Sequence, residues 1–325
     1  MDLKYLEKSI EPYNPLKDTN TIIVETNKIF HKLDAKNYDN KHPEIFGQLP
    51  PIYKEMCKLL PNNKKLKILD FGCGTGFEAT QLLNNLENIE ILYCYDISDE
   101  MLGICKRKIN NFKIMFINSI DKIPNDIKFD VLITNSLLHH LPQPLETIHK
   151  LNKFLYNDCF YIMGHEPSVR YYKNGDIQKM YELNSKKERI TAMKILKEMR
   201  KTDPENFRKN LFHNVVDEND PYKLTAIETV AKGLFELIPS IGIIDKIVDC
   251  YVPHSSLTAN AGIGFDFKDI ELYGEWELVY SKTYNFLNNN IYYDKLSEED
   301  KNRYRNLEEK YPDDGVSFCC VWKKR

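Results

Sequence analysis

The chain reads as an α/β protein built on a doubly wound, mostly parallel sheet, and three observations predict it. An apolar run, Ile68, Leu69 and Phe71, breaks into three glycines spaced by two, Gly72, Gly74 and Gly76. Twenty positions past Gly76, the acid Asp96 closes a second apolar run. Strand and helix patterns then alternate as far as Gly164, as parallel strands joined by right-handed crossovers require.

The elements follow in order. Thr21 to Leu33 and Pro50 to Leu60 are amphipathic and predict two short helices ahead of the first strand. After the glycine turn, Phe77 to Leu86 predicts a helix with Leu82, Leu83 and Leu86 on one face, and Ile89 to Tyr95 a strand. In such a unit the glycines let backbone N–H groups approach a ligand at a helix N-terminus, and the acid at the second strand's tip accepts ribose hydroxyls. Asp158 to Gly164 is the predicted fifth strand. Alternation resumes in Trp276 to Tyr284 and Ser317 to Trp322, with a charged helix from Ser297 to Lys310 between them, stopped at Pro312.

The segment from Glu166 to about Glu271 is therefore an insertion. It holds two polar helical stretches, Gln178 to Arg200 and Pro204 to Phe212, and an apolar part from Tyr222 to Tyr251. Ligands of open α/β sheets bind outside the carboxyl ends of the strands, so the insertion is placed to roof that crevice as a substrate lid. Most of its apolar stripe, including Ile227, Leu234, Phe235, Ile238, Ile241 and Ile244, is expected to be the lid's own core. Three parts result: a helical segment over the cofactor site (1–60), a core (61–165 and 272–325) and a mainly helical lid (166–271).

The ligand is read from the turn. A dinucleotide fingerprint wants a third glycine where Phe77 stands. Asp70, two residues before Gly72, would repel a pyrophosphate and suit an ammonium. S-adenosylmethionine carries an adenosine, an ammonium, a carboxylate and a sulfonium, and no phosphate. The helix N-terminus favours its carboxylate by about 0.3–1 kcal/mol. A nicotinamide-dependent oxidoreductase is disfavoured on the same residues.

At these positions the chain resembles the class I S-adenosylmethionine-dependent methyltransferases of the small-molecule type. The resemblance rests on Leu69-Asp70-Phe71-Gly72-Cys73-Gly74-Thr75-Gly76, on Tyr95-Asp96-Ile97-Ser98 with Met101 and Leu102, and on Phe129 to Leu141. It covers about Leu66 to Gly164 and implies a seven-stranded sheet with an antiparallel last strand. It also implies cofactor contacts from Asp70, Gly72, Cys73, Gly74, Gly76, Asp96, Ile97, Met101, Asn135 and His140. Many relatives end the third strand in Gly-Asp-Ala, whose acid meets the adenine amine. Here Asn118-Ser119-Ile120 stands there, leaving Ser119 and Ile120 as the candidates. Many also carry a Tyr-Asp pair over the cofactor, matched by Tyr38-Asp39, where an aromatic face favours a sulfonium. The plainer reading of Tyr38 is a loop tyrosine packing one helix on the next.

Methyl transfer is an in-line displacement, and the protein's share is to hold nucleophile and methyl in line. A hydroxyl or ammonium acceptor also needs a base. His165 and Glu166 leave the fifth strand where the acceptor belongs, as a candidate base or as acceptor-orienting groups; satisfaction by lid backbone is the alternative. His139 is expected to pack or cap beside the cofactor. Tyr171, Tyr172 and His254 are candidates for the substrate pocket. Cys73 has no second thiol nearby in sequence and there is no C-x-x-C pair, so no metal site is expected.

Composition narrows the partners. In 325 residues the net charge is −3, with acids interspersed among the lysines, which argues against nucleic acid. No run approaches the ~20 apolar residues of a membrane span, and the N-terminus lacks a signal-peptide apolar region. Eight scattered cysteines point to a reducing cytoplasm. The expectation is a cytoplasmic enzyme, monomer or homodimer, that methylates oxygen or nitrogen of a small-molecule acceptor. Carbon methylation of a quinone-like or other lipophilic ring is an alternative, and a non-catalytic S-adenosylmethionine-binding partner subunit is another.

Overall fold

Residues 3–204, 220–251, 264–268, 270, 272, 276–284 and 297–325 are described in the computed structural model. Seven strands make one sheet: β1 (Leu66–Phe71), β2 (Ile89–Tyr95), β3 (Ile114–Ile117), β4 (Phe129–Asn135), β5 (Leu155–Pro167), β6 (Trp276–Tyr284) and β7 (Ser317–Lys324). Their order is β3-β2-β1-β4-β5-β7-β6. The first five are parallel, and β7 runs antiparallel between β5 and β6. This is the doubly wound class I methyltransferase fold with an antiparallel last strand, as expected. Every residue of the central strand β4 is buried, because helices cover both faces. Alternate side chains therefore enter two cores: Leu69, Leu132 and Tyr161 on one side, Ile68, Val131 and Ile162 on the other.

Four helices precede the sheet: α1 (Lys4–Ile10), α2 (Thr19–Asp34), α3 (Tyr38–Lys41) and α4 (Pro43–Cys57). The crossovers carry α5 (Phe77–Asn85), α6 (Asp99–Lys108) and α7 (Pro144–Leu151). After β5 come α8 (Val169–Lys173), α9 (Gly175–Thr202), α10 (Pro221–Ala231) and α11 (Ile241–Val248), and α12 (Glu298–Lys310) lies between β6 and β7. Local chemistry fixes the starts. The buried Ser98 hydroxyl accepts from Met101 N (3.3 Å) at the head of α6, a cap of about 0.5–2 kcal/mol, and Ser297 caps α12 in the same way.

Three elements depart from expectation. Helix α4 starts at Pro43, seven residues before Pro50, which lies inside it with Pro51. A proline at the first helical position costs no hydrogen bond, and Pro43 takes that place. Strand β5 extends to Pro167 with an irregularity between Met163 and Glu166, so Glu166, expected as the first residue of the lid, belongs to the strand end with His165. Finally, the N-terminal helices and the insertion pack together. Leu6, Ile10, Ile22 and Ile23 share a core with Leu234, Phe235, Ile244, Ile247 and Val248, and Leu16 N donates to Leu234 O (2.9 Å). Ile227, Ile238 and Ile241 stay exposed. The expected helix Gln178–Arg200 is α9, whereas Pro204–Phe212 lies outside the described residues from 205 onward. Among the described residues no helix is long and apolar enough to cross a membrane.

Candidate active site

The turn after β1 is tied to the end of β2: Gly72 N and Cys73 N both donate to Tyr95 O (2.8 and 2.9 Å). Gly74, at φ 49°, sits in the left-handed region, and a Cβ there would meet no atom within 4 Å. Its backbone faces open space, so a ligand can approach the main chain closely. Its N–H donates to Asp96 Oδ2 (2.9 Å), while Asp96 Oδ1 accepts from Ser98 N (2.8 Å). The carboxylate is thus fixed in direction at the strand tip. Burial pushes its pKa up to about 6, against the lowering effect of those two N–H donors.

These groups line a cleft with an empty volume of about 930 Å³, together with Tyr38, Phe46, Phe71, Tyr95, Ile97, Met101 and Asn135. Tyr38 lies on α3, which is anchored through Asp39: Thr75 Oγ1 donates to Asp39 Oδ1 (2.6 Å) and Lys108 pairs with its other oxygen. Asn135, at the end of β4, accepts from Tyr53 OH (3.1 Å). Gly164 must be glycine because a Cβ would stand 2.2 Å from Asn135 Oδ1.

A second pocket adjoins the cleft, and the two share His31, Tyr38, Ser136 and His140. His42, His139, His165, Tyr172 and Asp249 also line it. Glu166, fully buried, organises its floor. Oε1 accepts from Leu137 N (2.9 Å) and Leu138 N (2.8 Å), and Oε2 lies 3.3 Å from His139 N and 2.8 Å from His139 Nδ1. With Nδ1 so engaged, His139 presents Nε2, 3.9 Å from Asp249 Oδ1. His140 Nδ1 lies 2.8 Å from Val248 O and 3.2 Å from Asp249 Oδ1. Burial opposes a charge on His140, but Asp249 and the Val248 carbonyl outweigh it and hold its pKa above the usual imidazole value. His31 goes the other way: burial, then the neighbouring His140, lower it to about 3. His165 contacts the Tyr284 hydroxyl through Nδ1, and like Ser136 it has a backbone φ of 50°. Left-handed backbone at two non-glycine residues is strain held in place by the surrounding structure.

Of the expected cofactor residues, Tyr38, Gly72, Cys73, Gly74, Asp96, Ile97, Met101, Asn135 and His140 line the cleft. Ser119 and Ile120 do not; Ser119 instead accepts from Asp121 N (3.3 Å), capping a short 3₁₀ turn. Gly76 and Asp70 are also outside the lining, Asp70 because it is fully buried beneath the turn. Glu166 faces the backbone and His139, which corrects its expected part as an acceptor-facing base: three N–H donors and an imidazole consume it. His139, expected to pack or cap, is itself buried but lines the second pocket, with Nε2 as its ring nitrogen not bound to Glu166. Tyr172 lines the second pocket, Tyr171 is buried against it, and His254 lies outside the described residues. Glu78 lines the cleft without having carried a motif signal; an acid in the first turn of a helix is its only mark, and burial raises its pKa to about 8. Asp249 had no signal at all.

Residues 69–161 match a family model described as a methyltransferase domain. The malonyl-[acyl-carrier protein] O-methyltransferase of Priestia megaterium (strain DSM 319 / IMG 1521) is 27% identical over 135 residues, 39% of this chain and 49% of that protein. The protein of the same description from Bacillus anthracis is 29% identical over 90 residues, 27% of this chain and 33% of its own length. This chain therefore spans half or less of the length of these relatives. Among solved structures, an S-adenosylmethionine dependent methyltransferase from Mesorhizobium loti aligns with a TM-score of 0.33 at 21% identity, covering 39% of this chain and 57% of that one. The strand order, the glycine turn and Asp96 are those of the class I S-adenosylmethionine-dependent methyltransferase fold, and residues 69–161 carry a methyltransferase domain.

The family's cofactor is S-adenosylmethionine, and the cleft residues fit it. Gly74 leaves open the space where a Cβ would stand, and Asp96 is a fixed acceptor at the strand tip.

Proposed function

We propose that the chain methylates an oxygen of a small acceptor seated in the histidine-lined pocket, with His139 as base and Glu166 as its positioning residue. The observation that carries this reading is the Glu166–His139 pair at the floor of a pocket that opens into the cofactor cleft. When bound, S-adenosylmethionine supplies an electrophilic methyl group on its sulfonium. Asp96 would accept the ribose hydroxyls, the open backbone at Gly74 would let the ligand approach, and Tyr38 would offer an aromatic face to a cationic group. His139 Nε2 takes the acceptor's proton while Glu166 holds the ring at Nδ1 and steadies the resulting imidazolium, an arrangement that contributes typically about 10²–10⁴-fold. Oxygen as the accepting atom is supported by relatives described as O-methyltransferases of a malonyl group on an acyl-carrier protein.

The test is a screen of hydroxyl- and carboxylate-bearing acceptors with S-adenosylmethionine, read by mass spectrometry for a product 14 mass units heavier (about one CH₂, the net gain of methyl for hydrogen). Methylated hydroxyl products whose formation depends on His139 support the reading. Product from carboxylates alone, at a rate indifferent to His139, overturns the base assignment because a carboxylate has no proton to lose. No turnover by a protein that binds S-adenosylhomocysteine would overturn the enzyme reading itself.

A further inference from the structure

Three thiols that are distant in sequence converge beneath the glycine turn. Cys73 comes from the turn, Cys94 from β2 and Cys105 from α6, and their sulfur atoms all lie within 4.8 Å of one another. All three are at most 1% exposed. This departs from the expectation that Cys73 stands without a partner: topology supplies neighbours that spacing along the chain does not show. The cluster presses on the turn so closely that a Cβ on Gly76 would stand 2.7 Å from Cys105 Sγ.

A second observation points to a cation. Asp70 is fully buried, and neither of its carboxylate oxygens has a hydrogen-bond partner. It pairs in register with Cys94 across β1 and β2, so the two side chains leave the sheet on the same face. A buried acid with no donor is costly unless a positive group meets it. Asp70 does not line the cofactor cleft, and burial, then the neighbouring charge of Glu78 and the Cys105 thiol, push its pKa up.

We propose that Cys73, Cys94 and Cys105 form a three-sulfur site for one thiophilic ion of the zinc class, whose positive charge the buried Asp70 on the same face of the sheet favours. Zinc–sulfur bonds of about 2.3 Å in a tetrahedron separate the sulfurs by about 3.8 Å, so closing the cluster takes movements of no more than about 1 Å. Sulfur donors select zinc, cadmium or copper(I) over magnesium or calcium. Binding breaks three S–H bonds and forms three metal–sulfur bonds: M²⁺ + 3 RSH gives M(SR)₃⁻ + 3 H⁺, with no change of oxidation state. The ion ties the turn to β2 and α6, stiffening the wall of the cofactor cleft from below. The site is separate from the acceptor pocket, whose His139, His140 and Asp249 offer only nitrogen and oxygen.

Titration of the reduced full-length protein with Cd²⁺ tests this by the ultraviolet thiolate-to-cadmium absorption. The expected result is one ion per chain, at least a tenfold loss of affinity in both Cys94→Ala and Cys105→Ala, and a rise in thermal midpoint with Cd²⁺ that both variants lack. S-adenosylhomocysteine binding by the variants reports that they fold. Should an alanine variant fail that control, Cys94→Ser, which keeps the volume and loses the soft donor, is read in its place. Absence of the band in the wild-type protein at micromolar Cd²⁺, or its persistence in both variants, overturns the site. Neither result bears on methyl transfer, which the acceptor screen reads separately.

Discussion

The cofactor cleft and the histidine-lined pocket share a wall at His31, Tyr38, Ser136 and His140, yet the chain builds them in opposite ways. Most of the cleft's polar geometry comes from one strand–turn–helix–strand unit, in which Gly74, Asp96 and Ser98 hold one another through backbone hydrogen bonds. The second pocket gathers side chains from α2, α3, the turn after β4, the end of β5 and the end of α11. One region is local and made largely of main chain. The other is assembled from afar and made of side chains. A main-chain site tolerates changes in its surroundings and suits a constant ligand; a side-chain site can be refitted to a new acceptor without disturbing the first.

That contrast predicts separable failures. His139→Ala should lower kcat by about 10²–10⁴-fold while leaving S-adenosylhomocysteine affinity within about twofold, because the base acts only in the acceptor pocket. Parallel kinetics and calorimetry check it. If cofactor affinity collapses too, the two regions are one site and the comparison breaks.

The reverse experiment uses Asp96. Asp96→Ala should weaken S-adenosylhomocysteine by about 1.5–3 kcal/mol, the worth of a charge-assisted hydrogen bond, and should also lower the thermal midpoint of the unliganded protein, because Gly74 N and Ser98 N lose their acceptor. Calorimetric titration reads the loss. Retention of wild-type affinity would show that main chain alone holds the ligand.

Acid supplies a gentler probe of the same carboxylate. Asp96 titrates near 6 in the folded protein, so it is ionised above that pH and protonated below it. Its ability to accept two ribose hydroxyls is present at high pH and lost as pH falls through 6. S-adenosylhomocysteine affinity should then drop by up to about tenfold per unit below pH 6, and Asp96→Asn should flatten that dependence. A profile of equal slope in the variant would assign the titration elsewhere, with Glu78 as the other raised acid of the cleft.

The same division explains what the sequence shows. Gly72, Gly74, Asp96, Ile97 and Met101 announce themselves because their spacing is their structure: turn, strand tip and helix cap are neighbours in sequence and in space. Glu166 was visible as a residue but not as a role, since its partners are backbone N–H groups of Leu137 and Leu138 nearly thirty positions away. Asp249 had no signal because it reaches the pocket only when α11 packs on α2, two helices that lie more than 200 residues apart in sequence and place Ile22 and Ile244 in one core. The long-range neighbours of Cys73 were hidden for the same reason.

The smallest effect tests where the two regions join. Helix α3, which carries Tyr38 between cleft and pocket, is held to the core by Asp39, whose oxygens meet Thr75 Oγ1 and Lys108. The Lys108 pair is about one-third exposed on both sides, so solvent screens most of its attraction. The Thr75 bond is short and partly buried, and contributes most of what remains. Asp39→Ala should therefore cost about 1 kcal/mol, or roughly fivefold in S-adenosylhomocysteine affinity. Raising the salt concentration should leave wild-type affinity nearly unchanged, since screening weakens only the exposed pair. Lys108→Ala alone should fall within about twofold of wild type. If Lys108→Ala instead matches Asp39→Ala, the ion pair and not the hydroxyl anchors α3, and the junction is electrostatic at heart.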